Sequence, residues 1–517
     1  MSASWRARAP YLIPWALALL LLAMLAGRFA IFLVDSWAAA TYSYELDYGE
    51  GIVWQQADMI FEGRGYGDIT RYPFIVFHYP PLYHLVSGGL ARLTGLDPLL
   101  TGRLVSLLAT LATAALIFWM VSGAAERRRD ALPSAAIAAL LPFLTTPFLL
   151  WSPLMRVDML ALLFGTAGIA LIVASRERPR LAILAGLCFA LAVFTRQTAI
   201  FAPAACFAAL LLVDRRRALF AIAVTVGWGL IFLAAAIIAT DGGFLDHVFL
   251  YNINRFSAEH FARYMGRALR PQLPLLLLAA LVTIGLIVYL ARLRRESGSR
   301  AFFAAIAEDR GRFTLLVALI YLAISAAGLA MVAKIGSNLN YFLDFYVAIT
   351  LVVGIALHLL LTRARVGHDG AEARAVSYAS LIAVIGLVQV AVAMRPIYRQ
   401  FIDHRPPAAE LAATVEEMGR AERPIVSDDM VLLRRAGKQV PWESAIFAEL
   451  AYMGLWDEAP IIRMIDDRAF AMLYTYGGPG NPFFEARYTP GVQAAIARAY
   501  PRKRRIGGFV MHYPVAP

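Results

Sequence analysis

Long apolar stretches, each near the twenty residues that a bilayer-spanning helix needs, constrain this chain more than any other feature. Because 60% of the residues are hydrophobic and 16% are charged, against about a quarter charged in a soluble protein, the composition predicts a polytopic α-helical membrane protein. We predict about eleven transmembrane helices, of which the fifth and sixth are short enough to form a tight helical hairpin. The predicted helices are 12–34, 101–122, 133–150, 158–175, 181–195, 198–213, 218–239, 273–292, 313–333, 343–362 and 376–394.

Arginines divide the loops between these helices into two alternating sets. The positive-inside rule assigns the arginine-rich set to the cytoplasm, so we predict a multi-pass protein of the cell inner (plasma) membrane with a cytoplasmic N-terminus. The net charge of +12 then reflects topology, and nucleic-acid binding is not expected. The arginine-rich loops hold Arg6 and Arg8; Arg127, Arg128 and Arg129; Arg176, Arg178 and Arg180; Arg215, Arg216 and Arg217; Arg292, Arg294 and Arg295; and Arg363 and Arg365.

The last part of the chain, residues 395–517, has a different pattern from the apolar part before it. Helices are expected at 407–419, 444–455 and 492–500, and short strands at 424–427, 470–474 and 508–512. Strands that alternate with helices predict a small α/β domain, which the sidedness places outside the cytoplasm. We therefore divide the chain into a transmembrane catalytic module, 1–394, and an extracytoplasmic domain, 395–517.

The first outside loop, residues 35–100, carries the most informative segment, Tyr44-Glu45-Leu46-Asp47-Tyr48-Gly49-Glu50. If this segment is helical, Asp47 and Glu50 share a face, and Trp54 continues that face. A carboxylate can accept the proton of an attacking hydroxyl, and an aromatic ring can stack on a sugar. The alternative is a solvated acidic loop.

Further motifs follow in a fixed order: Gly63-Arg64-Gly65-Tyr66, then His78-Tyr79-Pro80-Pro81-Leu82, then Gly102-Arg103-Leu104. An acidic-Gly segment followed by Gly-x-x-Tyr, Pro-Pro-Leu and an arginine at the next helix resembles the GT-C superfamily of polyprenyl-phosphate-sugar-dependent glycosyltransferases. Its members include the protein O-mannosyltransferases (family 39-type) and the lipid A aminoarabinose transferases. The resemblance covers residues 1–200, and the helix count and the C-terminal part extend it loosely to the whole chain.

The resemblance implies that the first outside loop supplies a catalytic Asp or Glu, which here is Asp47 or Glu50. We favour Asp47 as the base and Glu50 as a partner that orients it or a substrate hydroxyl. The family often has a basic residue before Pro-Pro-Leu. Here Tyr79 stands in that place, and His78 is the nearest candidate to bind a phosphate or sugar oxygen. A purely structural hydrogen bond is the alternative for His78.

Arg156 and Asp158 lie at the mouth of a helix, where charges are costly unless they are paired or functional. The resemblance also implies an acidic residue in this loop, so Asp158 is a candidate to hold the acceptor or a divalent cation. An interaction between Arg156 and Asp158 is the structural alternative. No cofactor other than this candidate cation is expected.

Two further loops on the same side carry cations suited to a lipid phosphate, Arg196 and Lys334. Asn340 and Tyr341 follow Lys334 and are candidates to contact sugar. Arg196 reaching the membrane interface and an ordinary polar turn at Lys334 are the alternatives. The segment 240–272 is expected to cover the donor site.

These features predict a glycosyltransferase that moves a sugar from a polyprenyl-phosphate donor to an extracytoplasmic acceptor by single displacement with inversion. The acceptor is a cell-envelope glycan, a lipid or a protein hydroxyl. A lipid-linked glycan flippase or transporter is the alternative from another class, although its charges should lie near the bilayer midplane. A polysaccharide polymerase or ligase is an enzymatic alternative.

Overall fold

The computed structural model describes residues 3–366 and 371–515, and most of the chain up to residue 392 is helical. The predicted apolar stretches lie within helices, since an α-helix satisfies its backbone hydrogen bonds without water. The helices are α1 (Ala3–Thr41), α2 (Glu50–Phe61), α3 (Leu82–Thr94), α4 (Pro98–Ser122), α5 (Leu132–Leu140), α6 (Thr146–Trp151), α7 (Asp158–Ala174), α8 (Leu181–Thr195), α9 (Phe201–Val213), α10 (Arg215–Ala239), α11 (Gly243–Val248), α12 (Ala258–Leu269), α13 (Leu273–Ser297), α14 (Ser299–Glu308), α15 (Arg310–Gly328), α16 (Leu343–Val366) and α17 (Ala371–Val392).

Seven helical segments within the described ranges are long and apolar enough to cross a membrane, and three shorter apolar helices, α7, α8 and α9, pack among them. The chain is therefore a multi-pass membrane protein, while a total of eleven crossings stays a prediction. The seven segments are Leu12–Thr41, Pro98–Ser122, Arg215–Ala239, Ala258–Ser297, Arg310–Ala333, Leu339–Ala364 and Arg374–Val392.

The stretch predicted as one helix at 133–150 is broken. Helix α5 ends at Leu140, a 3-10 turn covers Leu141–Leu144, and α6 begins at Thr146. Pro142 and Pro147 stand at the starts of the turn and of α6. Proline removes a backbone donor and clashes with the preceding turn, so a continuous helix cannot form there.

The arginine-rich loops meet at one end of the helical bundle. Arg176 donates to the carbonyl of Ile306 at 2.8 Å, and Arg310 pairs with Glu177 at 3.3 Å and lies over Trp119. These contacts join the loops that follow α4 and α7 to the segment before α15. The side chains of Arg6, Arg8 and Arg365 lie outside the described part of the chain, and the direction of insertion stays a prediction.

The C-terminal segment, residues 395–515, folds around a four-stranded sheet with the order β1-β2-β4-β3. Strand β1 runs parallel to β2, and the other two pairings are antiparallel. The three predicted strands are present; β3, an Arg-Lys-Arg-Arg edge, was not predicted because its exposed charges mask it. The elements are α18 (Tyr398–Asp403), α19 (Ala408–Arg420), β1 (Ile425–Ser427), α20 (Met430–Arg435), α21 (Ser444–Tyr452), α22 (Ala459–Asp466), β2 (Met472–Tyr476), α23 (Pro482–Arg487), α24 (Pro490–Ala499), β3 (Arg502–Ile506) and β4 (Phe509–Tyr513).

This C-terminal segment docks directly on α2 and the first loop. The side-chain amide of Gln55 donates to the carbonyl of Val440 at 2.8 Å, and its oxygen accepts the N–H of Val440. The N–H of Phe74 donates to the carbonyl of Pro441 at 2.9 Å. Gly51 lies so close to the backbone of α20 that a Cβ there would collide with it. Residues 440–443 are therefore held over the first loop.

Candidate active site

Glu50 is the first residue of α2, and Gly49 before it has a left-handed backbone with φ 107°. Asp47 therefore lies in the loop before the helix, and the predicted shared helical face of Asp47 and Glu50 is wrong. The reason is conformational: a glycine reverses the chain between the two carboxylates at little steric cost.

The Glu50 carboxylate forms a fully buried ion pair with Arg103 of α4. Arg103 donates through Nε at 2.8 Å and through Nη2 at 2.6 Å, and neither side chain is exposed. The N–H groups of Leu46 and Met155 also donate to Glu50, at 2.9 and 3.0 Å. Burial raises the pKa of Glu50, but Arg103 and these hydrogen bonds outweigh it and hold the pKa below its ordinary value. Glu50 is thus charged, closed to solvent and fully bonded.

Asp47 has the opposite environment. Its side chain is 25% exposed, and its Oδ2 lies 3.6 Å from Nη1 of Arg156. Burial raises the pKa of Asp47 to about 6, and Arg156 opposes that rise. The Asp47 N–H faces Oε2 of Glu50 at 3.4 Å. Glu50 therefore helps to fix the backbone of a carboxylate that is open and able to exchange a proton near neutral pH.

Arg156 lies between the first loop and α7. It donates to the carbonyl of Tyr48 at 3.2 Å and packs against Gly49, where a Cβ would collide with its guanidinium. Its Nε is buried and has no hydrogen-bond partner among the residues that the structure describes. Gly49 is thus required twice, by its backbone conformation and by the approach of Arg156. A buried donor without a hydrogen-bond partner is expected where a bound ligand supplies the acceptor.

Four of the predicted residues come together around Asp158. Its Oδ1 pairs with Arg196 at 3.1 Å and accepts the amide of Asn340 at 2.8 Å, and Arg196 lies 4.5 Å from the ring centre of Tyr341. Arg196 and Asp158 also line a narrow cavity. The second oxygen of Asp158 and the amide oxygen of Asn340 are buried and have no hydrogen-bond partner within the described ranges. The ion pair of Asp158 is therefore with Arg196, and the alternative pairing with Arg156 is not formed.

Lys334 is bound by the segment that was expected to cover the donor site. Its Nζ donates to the backbone and side-chain oxygens of Asn252, both at 2.6 Å. Phe256 forms a β-bridge with Lys334, and the N–H of Ile335 donates to the carbonyl of Arg255 at 2.8 Å. Burial lowers the pKa of Lys334 to about 8, and the nearby charge of Arg196 adds to this effect.

His78 and Tyr79 lie at the same end of the bundle. Burial lowers the pKa of His78 to about 3, with Lys334 adding to the effect, so the ring is neutral. Its buried Nε2 has no hydrogen-bond partner in the described part of the chain. The carbonyl of His78 accepts from Gln197 at 2.8 Å and from Asn252 at 3.1 Å. Burial raises the pKa of the Tyr79 phenol, which Arg156 opposes.

Trp54 is the predicted site residue that the structure turns away from Asp47. Arg434 and Arg435 lie 5.4 and 5.3 Å from its ring centre, and the ring lines a separate pocket with Asp58. Asp58 bridges Arg434 and Arg92. Stacking of Trp54 on the reacting sugar has no support in these contacts.

A metal ion at Asp158 is poorly matched to its surroundings. Within the described ranges, no three His, Cys, Asp or Glu side chains gather in a way that could hold a metal. Asp158 already binds Arg196 and Asn340 through one oxygen. A cation would have to share this carboxylate with a guanidinium, so no chemical step is assigned to it.

Sequence reasoning missed two parts of the site. The ion pair between Arg103 and Glu50 was not predicted, although both residues belong to the sequence motifs that identified the site. Glu443 was missed entirely. It is 5% exposed, and its Oε2 has no hydrogen-bond partner among the described residues. Burial raises the pKa of Glu443 to about 8, and the charge of Arg156 opposes that rise. A carboxylate directly after the apolar Val440-Pro441-Trp442 was the available signal.

Comparison with known proteins finds a matching family model and several similar structures. Residues 77–318 match the model of Glycosyltransferase family 87, and no curated protein sequence matches the chain. ArnT from Cupriavidus metallidurans bound to undecaprenyl phosphate is similar in structure, with a TM-score of 0.57 and 15% identity over 95% of this chain and 98% of that chain. AglB from Archaeoglobus fulgidus, an archaeal oligosaccharyltransferase in complex with an inhibitory peptide and a dolichol-phosphate, is similar as well. Its TM-score is 0.52, with 12% identity over 94% of this chain and 74% of that chain. The predicted resemblance is confirmed, and the chain is a membrane glycosyltransferase with the GT-C fold.

Proposed function

We propose that this enzyme moves a sugar from a polyprenyl-phosphate donor to an extracytoplasmic acceptor, with Asp47 as the general base. The observation that carries the proposal is the partly exposed carboxylate of Asp47, which lies near cations and near buried polar atoms that have no hydrogen-bond partner among the described residues. The structurally similar ArnT binds undecaprenyl phosphate, and AglB binds a dolichol-phosphate. A lipid phosphate is therefore the expected chemistry of the donor.

Arg196 and Lys334 are the proposed ligands of the donor phosphate. Arg196 is a buried cation and Lys334 is a partly buried one, and the charge of Arg196 already acts on Lys334. Fixed cations that do not reorganise stabilise the charge that develops on a leaving phosphate. The unpartnered oxygens of Asp158 and Asn340 are suited to accept hydrogen bonds from sugar hydroxyls.

The proposed reaction is one displacement at the anomeric carbon. The acceptor oxygen forms its bond to that carbon while the bond to the phosphate oxygen breaks, and the bonding electrons leave with the phosphate. Asp47 takes the proton of the acceptor hydroxyl, and the anomeric configuration inverts. Glu50 acts as a positioning residue through Arg103 and the backbone of Asp47.

The proposed orientation places this site outside the cytoplasm and the N-terminus inside, in the cell inner membrane. Helices α4 and α7 begin beside the site, where Arg103 and Asp158 form their ion pairs, and both end before arginine-rich loops, which supports this orientation through the positive-inside rule. The acceptor is then a glycan, a lipid or a protein hydroxyl of the cell envelope.

The test is consumption of a donor by the purified enzyme. A panel of radiolabelled undecaprenyl-phosphate sugars is incubated with the wild type, with Asp47→Asn, and with Asp68→Asn as a matched control from the same loop. Asp68 is 48% exposed and pairs with Arg71 at the surface. We expect one donor to be consumed, a loss of roughly 10²–10⁴-fold in Asp47→Asn, and wild-type rates in the control.

Other outcomes of this experiment favour other activities. Full activity in Asp47→Asn would contradict the assignment of the base. Consumption of a lipid-linked oligosaccharide and of no monosaccharide donor would favour a polymerase or ligase. Movement of an intact lipid-linked sugar across vesicles, without cleavage, would favour a flippase.

A further inference from the structure

Glu443 is a buried carboxyl to which the proposed reaction gives no role. It belongs to the C-terminal segment, directly before α21, and its side chain makes no capping hydrogen bond to that helix. Its Oε2 is buried and has no partner within the described structure. A buried polar atom without a partner costs about 1–3 kcal/mol, so a ligand that supplies the missing hydrogen bond is a physical reason for its presence.

The groups around Glu443 place it close to Asp47. Arg156 is the charge that acts on Glu443, and the same guanidinium lies 3.6 Å from Asp47. The charge of Glu443 also acts on Tyr48. Burial raises the pKa of the Tyr48 phenol, Arg487 opposes that rise, and Glu443 adds to it.

The remaining charges near Glu443 are already paired. Arg487 lies 4.0 Å from the ring centre of Tyr48 and pairs with Asp428 at 3.2 Å. Asp428 also accepts hydrogen bonds from the hydroxyls of Ser444 and Tyr488. The carboxyl of Glu443 is therefore the group of this cluster that keeps an unused oxygen.

Contacts around Tyr48 connect the loop of Asp47 to the helix that follows Glu443. Arg156 donates to the carbonyl of Tyr48 at 3.2 Å, and Arg487 lies over the Tyr48 ring. Arg487 pairs with Asp428, which accepts a hydrogen bond from the hydroxyl of Ser444, the residue after Glu443. Because Asp47 is the proposed base for the acceptor hydroxyl, a group close to Asp47 is placed to contact the acceptor.

We propose that Glu443 binds a hydroxyl group of the acceptor and holds it against Asp47, so that the C-terminal segment supplies one wall of the acceptor site. This inference rests on the proposed function and adds to it a residue from outside the helical bundle. The position of Glu443 is fixed by contacts of the residues just before it. These are the two hydrogen bonds between Gln55 and Val440 and the hydrogen bond from Phe74 to Pro441.

The protonated form of Glu443 suits this role. Burial raises the pKa of Glu443 to about 8, with Arg156 opposing, so the carboxyl is neutral at pH 7. A neutral carboxyl has one O–H donor and one carbonyl acceptor, which can both engage a single hydroxyl group. When the pH rises through about 8, the donor is lost and an anion forms near Asp47. Acceptor binding should then weaken.

The experiment compares Glu443→Ala, Glu443→Gln and the control Glu449→Gln, a change in the helix after Glu443 that breaks an ion pair with the half-exposed Arg255. The enzymes are placed in vesicles made from membranes that contain the native acceptors, with the undecaprenyl-phosphate sugar that the wild type consumes. We measure label transferred to acceptor from pH 6 to pH 9, and separately the binding of undecaprenyl phosphate. Thermal unfolding and size-exclusion profiles check that each variant is folded.

We expect Glu443→Ala to lower transfer about tenfold at limiting acceptor, as the loss of one hydrogen bond predicts, with undecaprenyl phosphate affinity unchanged. Glu443→Gln keeps a donor and an acceptor at every pH, so it should retain transfer at pH 7 and lose the fall above pH 8. Glu449→Gln should behave as the wild type.

Two results would overturn the role of Glu443. One is wild-type transfer by folded Glu443→Ala, and the other is the same alkaline fall in Glu443→Gln. Weaker binding of undecaprenyl phosphate by Glu443→Ala would assign Glu443 to donor binding and would also contradict its proposed role at the acceptor. If the wild type consumes no donor, the proposed function itself fails, and a role in acceptor binding fails with it.

Discussion

Substitution of Glu50 by Gln separates the structural role of this residue from the chemical role of Asp47. The Glu50 carboxylate receives two bonds from Arg103 and further N–H groups from Leu46 and Met155, with no exposure of either charged side chain. Gln keeps the volume but carries one acceptor oxygen, and its NH₂ group faces donors. Arg103 is then a buried cation without an anion.

The loss of stability expected in Glu50→Gln follows from the burial of its ion pair with Arg103. Removing one partner of a buried ion pair costs about 3–5 kcal/mol because the other charge stays unpaired, whereas an exposed pair contributes about 0–1 kcal/mol. Asp47 is partly exposed and lies 3.6 Å from its partner, so its charge contributes little. Burial raises the pKa of Asp47 above its ordinary value, which means that its ionised form opposes folding at neutral pH. Asp47→Asn should be as stable as the wild type or slightly more stable.

The assay is thermal and denaturant unfolding in detergent for wild type, Glu50→Gln and Asp47→Asn, with donor consumption measured in parallel. The pKa of Glu50 is held below the ordinary value of 4.5, so its contribution is complete above that pH and is lost as the pH falls through the lower folded value. Glu50→Gln should lack this acid-sensitive contribution and be destabilised at pH 7. A Glu50→Gln protein as stable as wild type, or an Asp47→Asn protein as unstable as Glu50→Gln, would refute the division of roles.

Three other outcomes can be measured with the same preparations. Transfer should fall as the pH drops through about 6, since protonated Asp47 cannot accept a proton; an equal rate at pH 7 and pH 5 would contradict this. Lys334→Met should weaken undecaprenyl phosphate binding about tenfold, and wild-type binding should weaken as the pH rises through about 8; equal affinity at pH 7 and pH 9 would exclude a charged role. Gly49→Ala should displace Arg156 and reduce transfer more than Gly63→Ala, a control at another positive φ with open space around it; equal losses would show that backbone strain alone is responsible.

Most of the helical architecture follows from local information, and the exceptions show where local information ends. Hydropathy over about twenty residues is enough to find the apolar helices, because the bilayer demands that length. The break between α5 and α6 was not predicted, since Pro142 and Pro147 sit in a run that stays apolar throughout. Proline changes backbone geometry without changing hydropathy.

The candidate site depends on contacts far apart in sequence. Asp47 was identified because an acidic residue in this loop has a chemical use that the order of motifs supports. Glu50 could not be assigned from its neighbours, because its state depends on Arg103, 53 residues later. Glu443 is further removed, since its burial depends on Val440 docking on Gln55, 385 residues away. Pairing of this kind has no local sequence signal.

Asp47 and Glu50 show how one loop can hold two carboxylates for different purposes. Three residues apart and similar in chemistry, they are separated by a left-handed glycine that leaves the carboxylate of Asp47 partly exposed and turns that of Glu50 into the protein. There the pairing with Arg103 holds the pKa of Glu50 down, while burial with weaker pairing raises that of Asp47. Acid–base roles follow from environments that move the pKa values of neighbouring groups apart. The group that binds a proton near neutral pH and remains accessible can do the chemistry, and the permanently charged, enclosed group can hold it in place.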